Sequence, residues 1–111
     1  GTAVADLIRL TKLWEKNGVP AHISEFTNQR SNFYTLIYWG FIAKGEVEVD
    51  NKKRSSGYWV PTQKGGDFVG NKITVPSIAA TYNNKLIRLM GKDIDVVKAL
   101  GKKFDYEELM K

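Results

Sequence analysis

A chain of 111 residues is long enough for one domain with a real core and too short for two comfortable ones. Its 42% hydrophobic and 26% charged residues are ordinary for a globular protein, which argues against wholesale disorder. The net charge of +5, from 17 basic and 12 acidic residues, and a pI near 9.5 fit a phosphate-bearing partner, because neutralising phosphates drives such binding.

The absence of cysteine removes disulfides, thiolate nucleophiles and the usual structural zinc sites. No apolar run approaches the roughly 18 residues of a membrane span and the N-terminus has no secretory apolar region, so a cytoplasmic location without membrane contact is expected.

In chain order, Val4, Leu7, Ile8, Leu10, Leu13 and Trp14 recur at three- and four-residue steps. This spacing predicts an amphipathic helix over Ala3–Lys16, ended by Asn17-Gly18 with Pro20 just beyond. A short second helix is expected over Ala21–Phe26, followed by the polar run Thr27 to Asn32, in which Asn28 or Ser31 is placed to cap the next helix. In that third helix Phe33, Leu36, Ile37 and Gly40 share one face at α-helical spacing, and Gly40 is the expected terminus, with Phe41-Ile42 returning to the core.

Glu46-Val47-Glu48-Val49-Asp50 alternates strictly and predicts a strand with Val47 and Val49 inward. Residues 51–57 read as a polar loop with a basic tip, and Tyr58-Trp59-Val60 as the returning strand, closed by Pro61. Thr62 then opens a short helix carrying Phe68 and Val69. Beyond Gly70, a strand through Ile73 and Val75 ends at Pro76, and Ile78–Tyr82 and Lys85–Leu89 flank Asn83-Asn84 as a second hairpin. Asp93 or Asp95 is placed to cap a helix through Val96, Val97 and Leu100, and a last turn follows Asp105.

Two local patterns carry a resemblance. LIYWGFI, Leu36 to Ile42, resembles the recognition-helix exit of bacterial and archaeal winged-helix regulators, and TQKGGDFV, Thr62 to Val69, resembles the segment that follows the wing in many of them. The stretch from Tyr58 to Asn84, with GKKFDYEEL near the end, is also similar to uncharacterised proteins encoded by phages and prophages. The implied fold is α+β: a winged helix over residues 1–75, with a three-helix core and a β-hairpin wing. A small C-terminal β-hairpin and short helices over 76–111 are expected to pack on the same domain. From residue 76 onward the chain departs from such regulators, which commonly carry a long dimerisation helix there, so the oligomeric state stays open.

The resemblance implies double-stranded DNA as partner and no chemistry, as in a phage- or prophage-derived transcriptional regulator. In a winged helix the N-terminal part of the third helix enters the major groove, where Asn and Gln pair with adenine and Arg with guanine. That assigns Asn28, Gln29, Arg30, Ser31 and Asn32 to base contact, with Tyr34 and Thr35 to the backbone. Lys52, Lys53 and Arg54 at the hairpin tip are assigned to phosphate or minor groove. The bland alternatives are a capped polar loop and a charged tip that keeps a hairpin in solution.

A protein-interaction or phage assembly module on the same fold is the rival function, favoured by an exposed patch of Tyr34, Tyr38 and Tyr58. No enzyme, metal or cofactor is expected. His22 is the only histidine and reads as structural, Gly65-Gly66 lacks phosphate-loop spacing, and Glu46, Glu48 and Asp50 look like a solvated strand face rather than a cation site. Trp14, Trp39, Tyr58 and Trp59 read as core and hairpin packing.

Overall fold

The computed structural model describes residues 2–27, 32–49, 51–54 and 57–111, the side chains of Val49 and Arg54 excepted. It is a mixed α+β structure in which small antiparallel sheets and short helices are gathered on one long helix.

That helix, α1 (Thr2–Asn17), buries Val4, Leu7, Ile8 and Leu10, the stripe its spacing predicts. Gly18 closes it with an N–H bond to the Trp14 carbonyl at 2.8 Å. Trp14, expected in the core, is instead 37% exposed, in the last turn of the helix. Asp6 is buried at 1% exposure and keeps its charge partnered, accepting from Arg9 Nη1 at 2.8 Å and from the Thr27 hydroxyl. A buried carboxylate is tolerable only with such partners.

Residues 21–26 correct the predicted second helix. Ala21–His22 form strand β1, and only Ile23–Glu25 make a 3₁₀ turn. The His22 N–H donates to Glu25 Oε2 at 2.9 Å and the His22 side chain accepts from the Ser24 N–H, so the turn is capped by the strand that precedes it.

The third helix, Phe33–Trp39, is 3₁₀ rather than α. Three residues per turn places Phe33, Leu36 and Trp39 on the core side, and Phe33 and Leu36 are 1% and 3% exposed. Ile37, expected inside at the α-helical period, is therefore 50% exposed. Asn32 is the N-cap position and makes no side-chain cap bond; the candidate caps Asn28 and Ser31 lie outside the described residues. Gly40 closes the helix at φ +72°, where a side chain would be strained, and Phe41 and Ile42 enter the core as expected.

Strand β2 (Ile42–Lys44) pairs with β5 (Tyr58–Pro61), and β1 pairs with the other edge of β5, giving a sheet of order β1-β5-β2. Between them β3 (Val47–Val49) and β4 (Lys52–Arg54) form a separate ribbon, reversed at Asn51 with φ +63°. The predicted pairing of 46–50 with 58–60 is thus corrected: the basic "loop" is itself a strand. A short asparagine turn closes a hairpin at once, while Tyr58–Pro61 is claimed by the two strands near α1.

Helix α2 (Gln63–Val69) begins as expected, with Thr62 Oγ1 accepting the Gly65 N–H at 3.0 Å. Phe68 is 1% exposed and stacks on Phe41 at 4.6 Å between ring centroids.

A long ribbon follows, β6 (Val75–Tyr82) with β7 (Lys85–Ile94), turned at Asn83 and Asn84, which both take positive φ. It absorbs the strand expected to end at Pro76, since the register is irregular between Pro76 and Ile78 and a missing amide is tolerated there. Asp95 caps α3 (Val96–Leu100) and Asp105 caps α4 (Tyr106–Met110). Val96 and Leu100 join the α1 core, and the Lys12 ammonium donates to the Leu109 and Lys111 carbonyls, tying the last helix to the first.

Candidate nucleic-acid interface

The candidate contact residues fall in two groups, one at the start of helix 33–39 and one on the β3–β4 ribbon. Of the first group, Asn28, Gln29, Arg30 and Ser31 lie outside the described residues. Asn32 and Thr35 are exposed, but the Thr35 hydroxyl donates to the Asn32 carbonyl at 2.6 Å, which commits its proton locally and leaves only acceptor capacity toward a ligand. Tyr34 is 56% exposed, and its ring sits edge-on against the buried Trp59 at 5.6 Å, which fixes its direction. With Ile37 one 3₁₀ turn further on, the outward side of this helix is apolar and aromatic.

On the ribbon, the register decides where charge is offered. Val47 pairs with Arg54, Glu48 with Lys53 and Val49 with Lys52. Because alternate positions along a strand share a face, positions 47, 49, 52 and 54 occupy one face and 48 and 53 the other. Lys53 stands directly across from Glu48, so a cation and a carboxylate share that face, although the two make no ion pair. At the paired positions the face of 52 and 54 has two cationic residue types opposite two valines, and Asp50 lies outside the described residues. Lys52 and Lys53 are both exposed, and among the described residues the ribbon pairs with no further strand. Val47, expected inward, is only half-buried, because the ribbon stands apart from the sheet that covers α1.

The remaining candidates are structural where they are described. His22 holds its turn through Ser24 and packs edge-on to Tyr58 at 5.0 Å. Among the described residues no group of three His, Asp or Glu is placed to hold a metal; Asp50 lies outside them. Trp59 is 6% exposed and Trp39 is half-buried with its Nε1–H on the Pro76 carbonyl at 2.7 Å. The Tyr38 hydroxyl donates to the Asn84 carbonyl at 3.2 Å, so two adjacent residues of helix 33–39 hold the base and the turn of the β6–β7 ribbon.

An apolar hollow of about 160 Å³ lies beside Val4, Leu36, Trp39, Phe41 and Phe68. No titratable side chain lines it, so it offers volume without acid–base chemistry. Burial raises the phenol of Tyr106 above its ordinary value, and its hydroxyl donates to the Val69 carbonyl at 2.6 Å. Among the described residues no helix is long and apolar enough to cross a membrane.

Sequence reasoning assigned no role to the β6–β7 ribbon, where Tyr82 and Ile87 are 70% and 65% exposed. One signal was available: from Phe68 to Lys92 there is no carboxylate, while Lys72, Lys85, Arg88 and Lys92 are cationic. Compared with protein-family models, with curated proteins and with solved structures, the chain matches none.

Proposed function

We propose that the chain is a winged-helix protein that binds double-stranded DNA without catalysing a reaction, as a phage- or prophage-derived transcriptional regulator. The element order supports this reading: α1, β1, a turn, helix 33–39, β2, a projecting hairpin and β5, with β1 and β2 on either side of β5. In it, helix 33–39 is the reading helix, Gln29 and Arg30 in the preceding run contact bases, and the β3–β4 ribbon is the wing.

The observation that carries the proposal is the ribbon register. An acidic strand beside DNA is repelled unless its acids face away, and pairing Glu48 with Lys53 puts that acid on the face opposite to positions 52 and 54. On this reading the face of positions 52 and 54 meets phosphate, and Lys53 shares the opposite face with Glu48. The test is binding of a random-sequence duplex across a salt series. Affinity is expected to fall steeply with salt, and the slope to flatten when Lys52, Lys53 and Arg54 are replaced by alanine. No binding at low salt by a folded protein overturns the proposal.

The rival, a protein-interaction or assembly module, is favoured by one observation: Tyr34 and Ile37 leave an apolar outward side on the proposed reading helix. Replacing both with serine separates the two readings. No DNA binding by the unmodified chain, together with a protein contact that the double variant loses, favours the module.

A further inference from the structure

The β6–β7 ribbon exposes Ile78, Tyr82 and Met90 at 51%, 70% and 39%. The register pairs Ile78 with Met90, Ala80 with Arg88 and Tyr82 with Lys85, so these six residues share one face. On the other face Ala79 and Leu89 are half-buried, and the ribbon is held to helix 33–39 through Trp39 at its base and Tyr38 at its turn. Tyr82, Lys85 and Arg88 are all exposed, and near the tip, where Thr81 and Leu86 are exposed too, both faces of the ribbon are open.

Two features argue against another β-strand as the occupant of this ribbon. The ladder is broken by irregularities between Pro76 and Ile78 and between Ala80 and Thr81. Its returning strand carries Lys85, Arg88 and Lys92. Bulges and cations are the devices that protect a sheet edge from pairing. Two copies joined through this ribbon would also bring those cations together.

What the cations match is a polyanion. Lys85, Arg88 and Lys92 make no ion pair among the described residues, and no carboxylate occurs between Asp67 and Asp93. Lys85 and Arg88 stand across from Tyr82 and Ala80, two residues apart on β6, so they lie roughly 7 Å apart by strand rise, about two nucleotide steps of one DNA strand. An exposed aromatic flanked by cations at the tip of a β-ribbon suits a groove, where apolar side chains wedge against base steps while Lys and Arg hold phosphates.

We infer that the β6–β7 ribbon is a second nucleic-acid arm, contacting the same duplex as helix 33–39 and the β3–β4 ribbon through Tyr82, Lys85 and Arg88. The inference rests on the proposed DNA-binding function and adds to it a contact no winged helix requires. Tyr38, which anchors the turn of the arm, keeps the arm beside the reading helix.

The test uses fluorescence anisotropy of a labelled 30-base-pair random duplex over a salt series, with the full chain, a K52A/K53A variant and a K85A/R88A variant. Lys85 and Arg88 are exposed, so folding is retained, and circular dichroism verifies it. K85A/R88A is expected to reduce the salt slope by about 1.8, the value for two phosphates, and Y82A to weaken binding at least about fivefold at fixed salt. If K52A/K53A alters the slope and neither arm variant alters binding, the arm is overturned and the DNA reading stands. If the unmodified chain does not bind, the DNA reading itself falls, and the arm with it. Self-association in sedimentation velocity that Y82A abolishes, with DNA binding unchanged, overturns the arm in favour of a protein contact.

Discussion

Gly65 lies so close to Phe41 that a Cβ at position 65 would stand 2.2 Å from the Phe41 carbonyl oxygen. The first turn of α2 thus rests on the backbone that enters β2, and Thr62 locks the approach by donating its N–H to that carbonyl at 2.9 Å. Gly65→Ala puts two effects in opposition. Helix propensity alone favours alanine by about 1 kcal/mol, whereas overpacking against an immovable backbone costs about 1–3 kcal/mol. The oxygen belongs to the backbone entering β2 and is held by the Thr62 N–H, so we expect net destabilisation in urea unfolding. A more stable G65A protein contradicts the contact.

Asp6 is the buried charge of the core, and its carboxylate holds both Arg9 and the Thr27 hydroxyl. Asp6→Ala removes hydrogen bonds to a charged group, each worth about 1.5–3 kcal/mol. A loss of roughly 2–3 kcal/mol by chemical denaturation is expected. Arg9→Ala takes the cation from a carboxylate that stays buried, with Thr27 still bonded to it, and is expected to cost at least as much, because a buried charge without its counter-ion is worse than no charge.

Tyr106 ties α4 to α2 through the Val69 carbonyl, and burial holds its phenol above the ordinary value of 10.0. The folded state therefore keeps this proton at a pH where the unfolded chain has released it. The contribution is fully present below pH 10 and declines as pH rises past the unfolded value. Tyr106→Phe is expected to lose about 1 kcal/mol at neutral pH. The stability gap between the two proteins should then narrow above pH 10, followed by thermal unfolding at a series of alkaline pH values.

How much of this was legible in the sequence depended on the range of the interaction. Local chemistry read well: Thr62, Asp95 and Asp105 cap their helices, Gly40 ends helix 33–39, and Asn83-Asn84 turns the second ribbon. Period was harder. Ile37 reads as core at a spacing of 3.6 and as surface at a spacing of 3, and the two agree at Phe33 and Leu36 and part company one residue later. Pairing was hardest, since nothing local to Tyr58–Pro61 says that its neighbours are Ile42–Lys44 and Ala21–His22 rather than the adjacent alternating strand. The candidate site was legible as residue types at Lys52, Lys53 and Arg54, but not their division between two faces, because reading them as a loop assigned no faces at all.

That division separates two adjacent lysines. Lys52 lies across from Val49, on the face that has no carboxylate at its paired positions, whereas Lys53 lies across from Glu48. If the β3–β4 ribbon lies against duplex DNA on its cationic face, Lys52 is the phosphate contact and Lys53 is a cross-strand partner. The direct measurement compares Lys52→Ala and Lys53→Ala on one random duplex across the same salt series. We expect K52A to lower the salt slope by about 0.9, the value for one phosphate, and K53A to leave it nearly unchanged. Equal slopes for K52A, K53A and the unmodified chain contradict DNA binding through this ribbon.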